Sequence, residues 1–120
     1  MVREITKLIT NGESEVKQMD VRFKKDGITL IVSIEGEIDH HTSRLMKERI
    51  DSKFIMEPVK NMIIDLSRVT FMDSAGVGLI MGRMKRVSSV GGKLSIRHPK
   101  PEIIKILKMS NVDNLISIEA

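Results

Sequence analysis

The sequence predicts an α/β fold: one domain on a mixed sheet of four to five strands, opened by an N-terminal hairpin and continued by alternating helices and strands. Three observations predict it. Apolar alternation of period two begins at Val21 and Phe23 and returns in later short runs. Three other stretches carry apolar residues at three-to-four spacing, each with its own start and stop residues. The two kinds of segment alternate after the hairpin, a pattern that demands parallel strands joined by right-handed crossovers.

In chain order, residues 1–18 are polar, with Ile5, Leu8 and Ile9 at helical spacing before the turn-forming pair Asn11-Gly12. They are read as an N-terminal arm or short helix, outside a domain that spans residues 19–120. Val21 and Phe23 then share one side of a strand, and Lys25-Asp26-Gly27 supplies the hairpin turn. Ile28 to Ile34 is apolar at almost every position, as expected for a strand buried on both faces. Asp39 or Thr42 is placed to cap a helix bearing Leu45, Met46, Ile50 and Phe54, with Pro58 past its end.

Met62 to Leu66 reads as a short central strand. A second helix starts at Asp73 or Ser74 and runs to about Ser89, with Val77, Ile80, Met84 and Val87 as its apolar stripe and Gly91-Gly92 as its stop. Arg83, Lys85 and Arg86 lie toward its C-terminal end, where cations suit the helix dipole. Lys93 to Arg97 forms a further strand, Pro99 and Pro101 open a third helix with Ile103, Ile106 and Leu107, and Leu115 to Ile118 is an edge strand.

Composition narrows the function. There is no Cys, which removes disulfides and thiolate chemistry and fits a cytoplasmic protein. No apolar run is long enough for a bilayer, and the N-terminus lacks the basic-then-apolar order of a secretory signal, so neither membrane nor export is expected. The 20 Lys and Arg are interleaved with 16 Asp and Glu, and there is no Trp or Tyr. A dispersed charge without stacking rings argues against nucleic acid as a partner.

The junction Asp65 to Gly76 follows a strand and opens a helix, the place where open sheets display function. Ser74 falls in the first helical turn, where unpaired N–H groups and the helix dipole tolerate an anion. Phosphorylation there would add roughly −1.5 to −2 charges beside Asp73. Local spacing leaves two readings open: a plain helix cap at Asp73 or Ser74, or a phosphoacceptor whose charge is felt by a partner.

A hydrolase nucleophile is disfavoured, because the elbow motif needs Gly two residues before the Ser and Met72 stands there. His40, His41 and His98 all fall in loop positions rather than as an evident base. Gly76, Gly78 and Gly82 only superficially resemble a dinucleotide fingerprint; Gly78 and Gly82, four residues apart on a helix, are read as close-packing residues. Asp39-His40-His41 lacks further ligands at metal-site spacing. No catalysis, metal or cofactor is expected.

Two stretches, Gly36-Glu37-Ile38-Asp39-His40-His41-Thr42 and Asp65-Leu66 through Phe71-Met72-Asp73-Ser74-Ala75-Gly76-Val77-Gly78, closely resemble the STAS domain family, in particular the anti-sigma factor antagonists of the sporulation type. The resemblance covers about residues 19–118 and implies a sheet with helices mainly on one face. It implies that the protein in its unphosphorylated form binds an ATP-bound anti-sigma serine kinase and frees the sigma factor. That kinase then phosphorylates Ser74 and ends binding, and a serine phosphatase resets the switch. Asp73, Ser74, Ala75 and Gly76, with Asp39, His40 and Thr42 in the neighbouring loop, would form the partner-binding face.

The alternative is a STAS scaffold module in a stress-signalling or membrane-transport assembly, with the same fold and another partner. The family usually ends with a further helix on the sheet, whereas this sequence runs only to Ile118-Glu119-Ala120. Residues 1–18 are expected to cover the surface left open, within one chain or by exchange between two, giving a monomer or a weak dimer.

Overall fold

The computed structural model describes residues 3–11 and 16–119 of the backbone, with side chains from residue 20 onward. Its strands are β1 (Arg3–Asn11), β2 (Val16–Asp26), β3 (Thr29–Ile38), β4 (Asn61–Met72), β5 (Leu94–Arg97) and β6 (Ser117–Glu119). Its helices are α1 (Ser43–Met56), α2 (Ser74–Ser89) and α3 (Pro101–Met109). The strands form one sheet in the order β1-β2-β3-β4-β5-β6, antiparallel from β1 to β3 and parallel from β3 to β6.

Period-two patterning explains which face is covered. Val21, Phe23, Leu30, Val32, Ile34, Met62, Ile64, Leu66, Leu94 and Ile96 are all buried on the same side of the pleat. Met46, Ile50 and Phe54 of α1, Leu79, Ile80 and Val87 of α2, and Ile103 and Leu107 of α3 close over them. Each such aliphatic side chain contributes about 1.5–3 kcal/mol on leaving water. The helices thus lie on one face, as anticipated.

β3 departs from the expectation of burial on both sides. Leu30, Val32 and Ile34 are buried, while Thr29, Ile31 and Ser33 remain only half-buried. The sheet also has a sixth strand. β2 to β6 are the five anticipated, and Arg3–Asn11, where Ile5, Leu8 and Ile9 suggested a helix, pairs antiparallel with β2 from Arg3↔Lys24 to Asn11↔Val16. A short apolar pattern fits either period, and the free edge of β2 decides it by offering ladder hydrogen bonds. β1 therefore extends the sheet at its edge instead of lying across its face. Gly12, half of the anticipated Asn11-Gly12 turn, lies outside the described residues.

Candidate functional site

The C-terminal ends of β3 and β4 carry the candidate site. Their parallel ladder is irregular there, with register shifts between Ser33 and Glu35 and between Gly36 and Glu37, before pairing resumes at Glu37↔Phe71 and Ile38↔Met72. Gly36 has φ 110°, a backbone conformation that favours glycine and marks the bulge. The irregularity breaks the alternation of β4, so Val69 and Met72 are buried while Phe71 is 45% exposed. β4 is therefore longer than the Met62–Leu66 core read from the sequence, and it delivers its last residues to the site.

The Asp73 N–H donates to the Ile38 carbonyl at 3.2 Å, adding one rung that draws the chain after β4 against the chain after β3. Asp73 is also the N-cap of α2. Its Oδ1 accepts from the Ala75 N–H at 2.8 Å and the Gly76 N–H at 3.3 Å. Its Oδ2 accepts from the His40 N–H at 3.3 Å and lies 3.7 Å from His40 Nδ1. One carboxylate thus caps the helix and ties the two loops. Ser74 is the first residue of α2, exposed, beside the positive end of the helix dipole.

Asp39 and Thr42, expected in the partner-binding face, are 2% and 0% exposed. Asp39 Oδ1 accepts from the N–H groups of His41 at 2.9 Å and Thr42 at 3.1 Å. The Thr42 hydroxyl donates to the Glu37 carbonyl at 3.0 Å and accepts from the Asp39 N–H at 3.1 Å. Thr42 occupies the N-cap position of α1 without a side-chain cap bond, since its hydroxyl is turned back into the loop. These two residues shape the loop and present His40, whose side chain is 72% exposed and whose ring lies 3.9 Å from that of His41.

Gly76 is buried, and a Cβ at this position would run into the Met72 side chain and approach the Ile38 carbonyl at 3.1 Å. It belongs to the packing of α2 on the strand ends, not to an exposed contact. Ala75 is half-buried beside it. Gly78 and Gly82 behave oppositely: a Cβ at either would meet no atom within 4 Å, so neither is needed for packing within the chain.

Two features escaped sequence reasoning. Phe71 would pass as a core residue on any strand of regular pleat, and only the bulge turns it outward. Arg83 does not serve the helix dipole: it is 4% exposed, and its Nε lies 2.8 Å from Asp51 Oδ1 of α1, with Arg86 Nε at 3.4 Å from the same oxygen. Neither Arg83 Nε nor Asp51 Oδ1 forms a well-directed hydrogen bond, so the contact is a Coulombic pair. Burial pushes the Arg83 guanidinium below its usual range, Asp51 opposes that, and Arg86 adds to it.

Chemically, the site offers an accessible hydroxyl on a fold element that accommodates an anion. Among the described residues no hydrogen bond joins the Ser74 hydroxyl to a histidine, and no group of three or more metal-binding side chains forms.

A family model described as the STAS domain matches residues 18–120. The chain is similar to the anti-sigma F factor antagonist of Paenibacillus polymyxa, with 33% identity over 89 residues, 74% of this chain and 76% of the relative. Among solved structures, the anti-sigma factor antagonist SpoIIAA in its unphosphorylated form matches with a TM-score of 0.72 at 27% identity, covering 83% of this chain and 88% of its own. SpoIIAA of Bacillus, described as a cell fate determinant, matches in its phosphorylated form with a TM-score of 0.65 at 27% identity, covering 83% and 91%.

Proposed function

The chain belongs to the STAS domain family, and from that premise we propose that it is a non-enzymatic anti-sigma factor antagonist switched by phosphorylation at Ser74. In its unphosphorylated form it binds an ATP-bound anti-sigma serine kinase and frees the sigma factor. The kinase transfers phosphate to Ser74, binding ends, and a serine phosphatase restores the hydroxyl. The setting is cytoplasmic, and no described helix is long and apolar enough to cross a membrane.

The observation that carries this is the exposure of Ser74 at the first position of α2, beside the Asp73 cap and the exposed His40. A phosphate here meets a helix dipole that stabilises it, so the fold survives. A partner seated on the same surface meets roughly two added negative charges next to the Asp73 carboxylate, and like charges forced together in an interface cost several kcal/mol. Phe71, three residues before Ser74 in the chain, adds an exposed aromatic side chain on the same strand end. Asp39 and Thr42 act by holding the loop that presents His40. That solved structures of SpoIIAA exist in both phosphorylated and unphosphorylated forms supports the same cycle.

Titration calorimetry of wild type, Ser74→Ala and Ser74→Asp against the ATP-bound kinase tests the proposal. Ser74→Ala is expected to bind within about threefold of wild type and Ser74→Asp at least a hundredfold more weakly, about 2.7 kcal/mol. Equal binding by Ser74→Asp would overturn it.

A further inference from the structure

We propose that the outer edge of β1 is a dimerisation surface, on which β1 of a second copy pairs antiparallel about a two-fold axis at Lys7 and joins the two sheets into one. This edge lies three strands away from β4, the strand that leads into Ser74. At 4.7–4.9 Å per strand the separation is about 14 Å, so pairing leaves the Ser74 surface of each copy open.

The β2–β3 turn fixes which backbone groups of β1 face outward. Asp26 and Thr29 are register partners separated only by Gly27-Ile28, with Gly27 at φ 60°, so they close a two-residue hairpin and exchange both backbone bonds. Bonding direction alternates along a strand, and this register runs unshifted from Asp26↔Thr29 to Met19↔Gly36. Phe23, Val21, Met19 and Lys17 therefore turn their N–H and C=O groups toward β1, onto Glu4, Thr6, Leu8 and Thr10. Arg3, Ile5, Lys7, Ile9 and Asn11 are left with theirs pointing away from the sheet. Among the described residues no strand pairs with that side.

Such an edge is a template for another strand, and β1 lacks most of the features that blunt one. It is nine residues long, contains no Pro, and keeps an unshifted register against β2 from end to end. The opposite edge strand, β6, has three residues, too few to match it. The strand that does match is β1 of a second copy. Antiparallel pairing centred on Lys7 uses the whole strand and sets Arg3 opposite Asn11, Ile5 opposite Ile9, and Lys7 opposite Lys7 of the other copy. Each of these pairs joins two outward-bonding residues, as a hydrogen-bonded ladder requires. A two-fold contact of this kind closes on itself and stops at two copies. The lysine pair on the axis is a like-charge contact and holds the affinity down.

The test uses the full chain, with sedimentation equilibrium and disulfide cross-linking as readouts. Wild type is expected to be a reversible dimer whose fraction rises with protein concentration and with salt, which screens the lysine pair. Lys7→Thr is expected to dimerise about two- to fivefold more tightly. Lys7→Pro takes away an outward N–H without removing a bond to β2, so it is expected to melt as wild type and to stay monomeric. The cross-links decide the matter even where that variant fails to fold. The sequence contains no Cys, so Lys7→Cys places a single thiol at the two-fold axis, where the paired Cα atoms are about 5.5 Å apart and within disulfide reach. Ile5→Cys places its two thiols more than about 13 Å apart. Mild oxidation is expected to cross-link Lys7→Cys, and Ile5→Cys at least tenfold more slowly. A wild-type chain that stays monomeric at roughly 1 mM, or equal cross-linking of the two cysteine variants, would overturn the dimer while leaving the Ser74 switch standing.

Discussion

Replacing Asp51 by Ala is expected to be among the most damaging single changes on the helical layer. Asp51 is 9% exposed, and its carboxylate sits between Arg83, 4% exposed, at 2.8 Å and Arg86 at 3.4 Å. Removing it leaves the Arg83 guanidinium buried without its counter-charge, a situation that costs about 3–5 kcal/mol. Loss of the half-exposed Arg86 contact adds at most about 1 kcal/mol. Urea unfolding followed by far-UV circular dichroism reads the effect, since the chain has no Trp or Tyr for fluorescence. With a slope of about 1.5 kcal/mol/M, the midpoint should fall by roughly 2–3 M. The double change Asp51→Ala with Arg83→Met removes both charges and should cost far less than the sum of the two single changes, giving a coupling of about 2–4 kcal/mol in the double-mutant cycle. An Asp51→Ala cost below about 1 kcal/mol, or additive single effects, would refute the claim that a buried Coulombic pair clamps α1 to α2.

Two further changes probe the site itself. Asp73→Ala removes a cap that accepts two helix N–H groups and the tie to His40, and should lower stability by about 1–2 kcal/mol in the same urea assay, with Asp73→Ser recovering part of it. Gly76→Ala forces a methyl group against Met72 and the Ile38 carbonyl, and should cost about 1–3 kcal/mol; an unchanged midpoint would show that α2 does not sit tightly on the strand ends.

Much of this architecture was legible because local signals agreed with one another. The bounds of α2 followed from Asp73-Ser74 at one end and Gly91-Gly92 at the other, and Ser74–Ser89 is what forms. α3 likewise opens on Pro101. What stayed hidden depends on contacts between distant residues. The strand at Arg3–Asn11 depends on the free edge of β2, and the extension of β4 to Met72 on bulges that no periodicity reveals. The pairing of Arg83 with Asp51 joins two helices through residues 32 positions apart in sequence.

The candidate site divides along the same line. Asp73 and Ser74 could be placed from cap chemistry alone, but residue type could not separate surface from scaffold. His40 is displayed, whereas Asp39, Thr42 and Gly76 are consumed in building the loop and the helix seat. Only the folded loop makes that distinction visible.

The most direct test of the central claim is to incubate the protein with its cognate anti-sigma kinase and ATP, map phosphate by mass spectrometry, and measure kinase affinity before and after. The account predicts phosphate on Ser74 alone, an unchanged fold by circular dichroism, and affinity reduced at least a hundredfold. Phosphate on another residue, or a Ser74-phosphorylated protein that still binds as tightly, would contradict it.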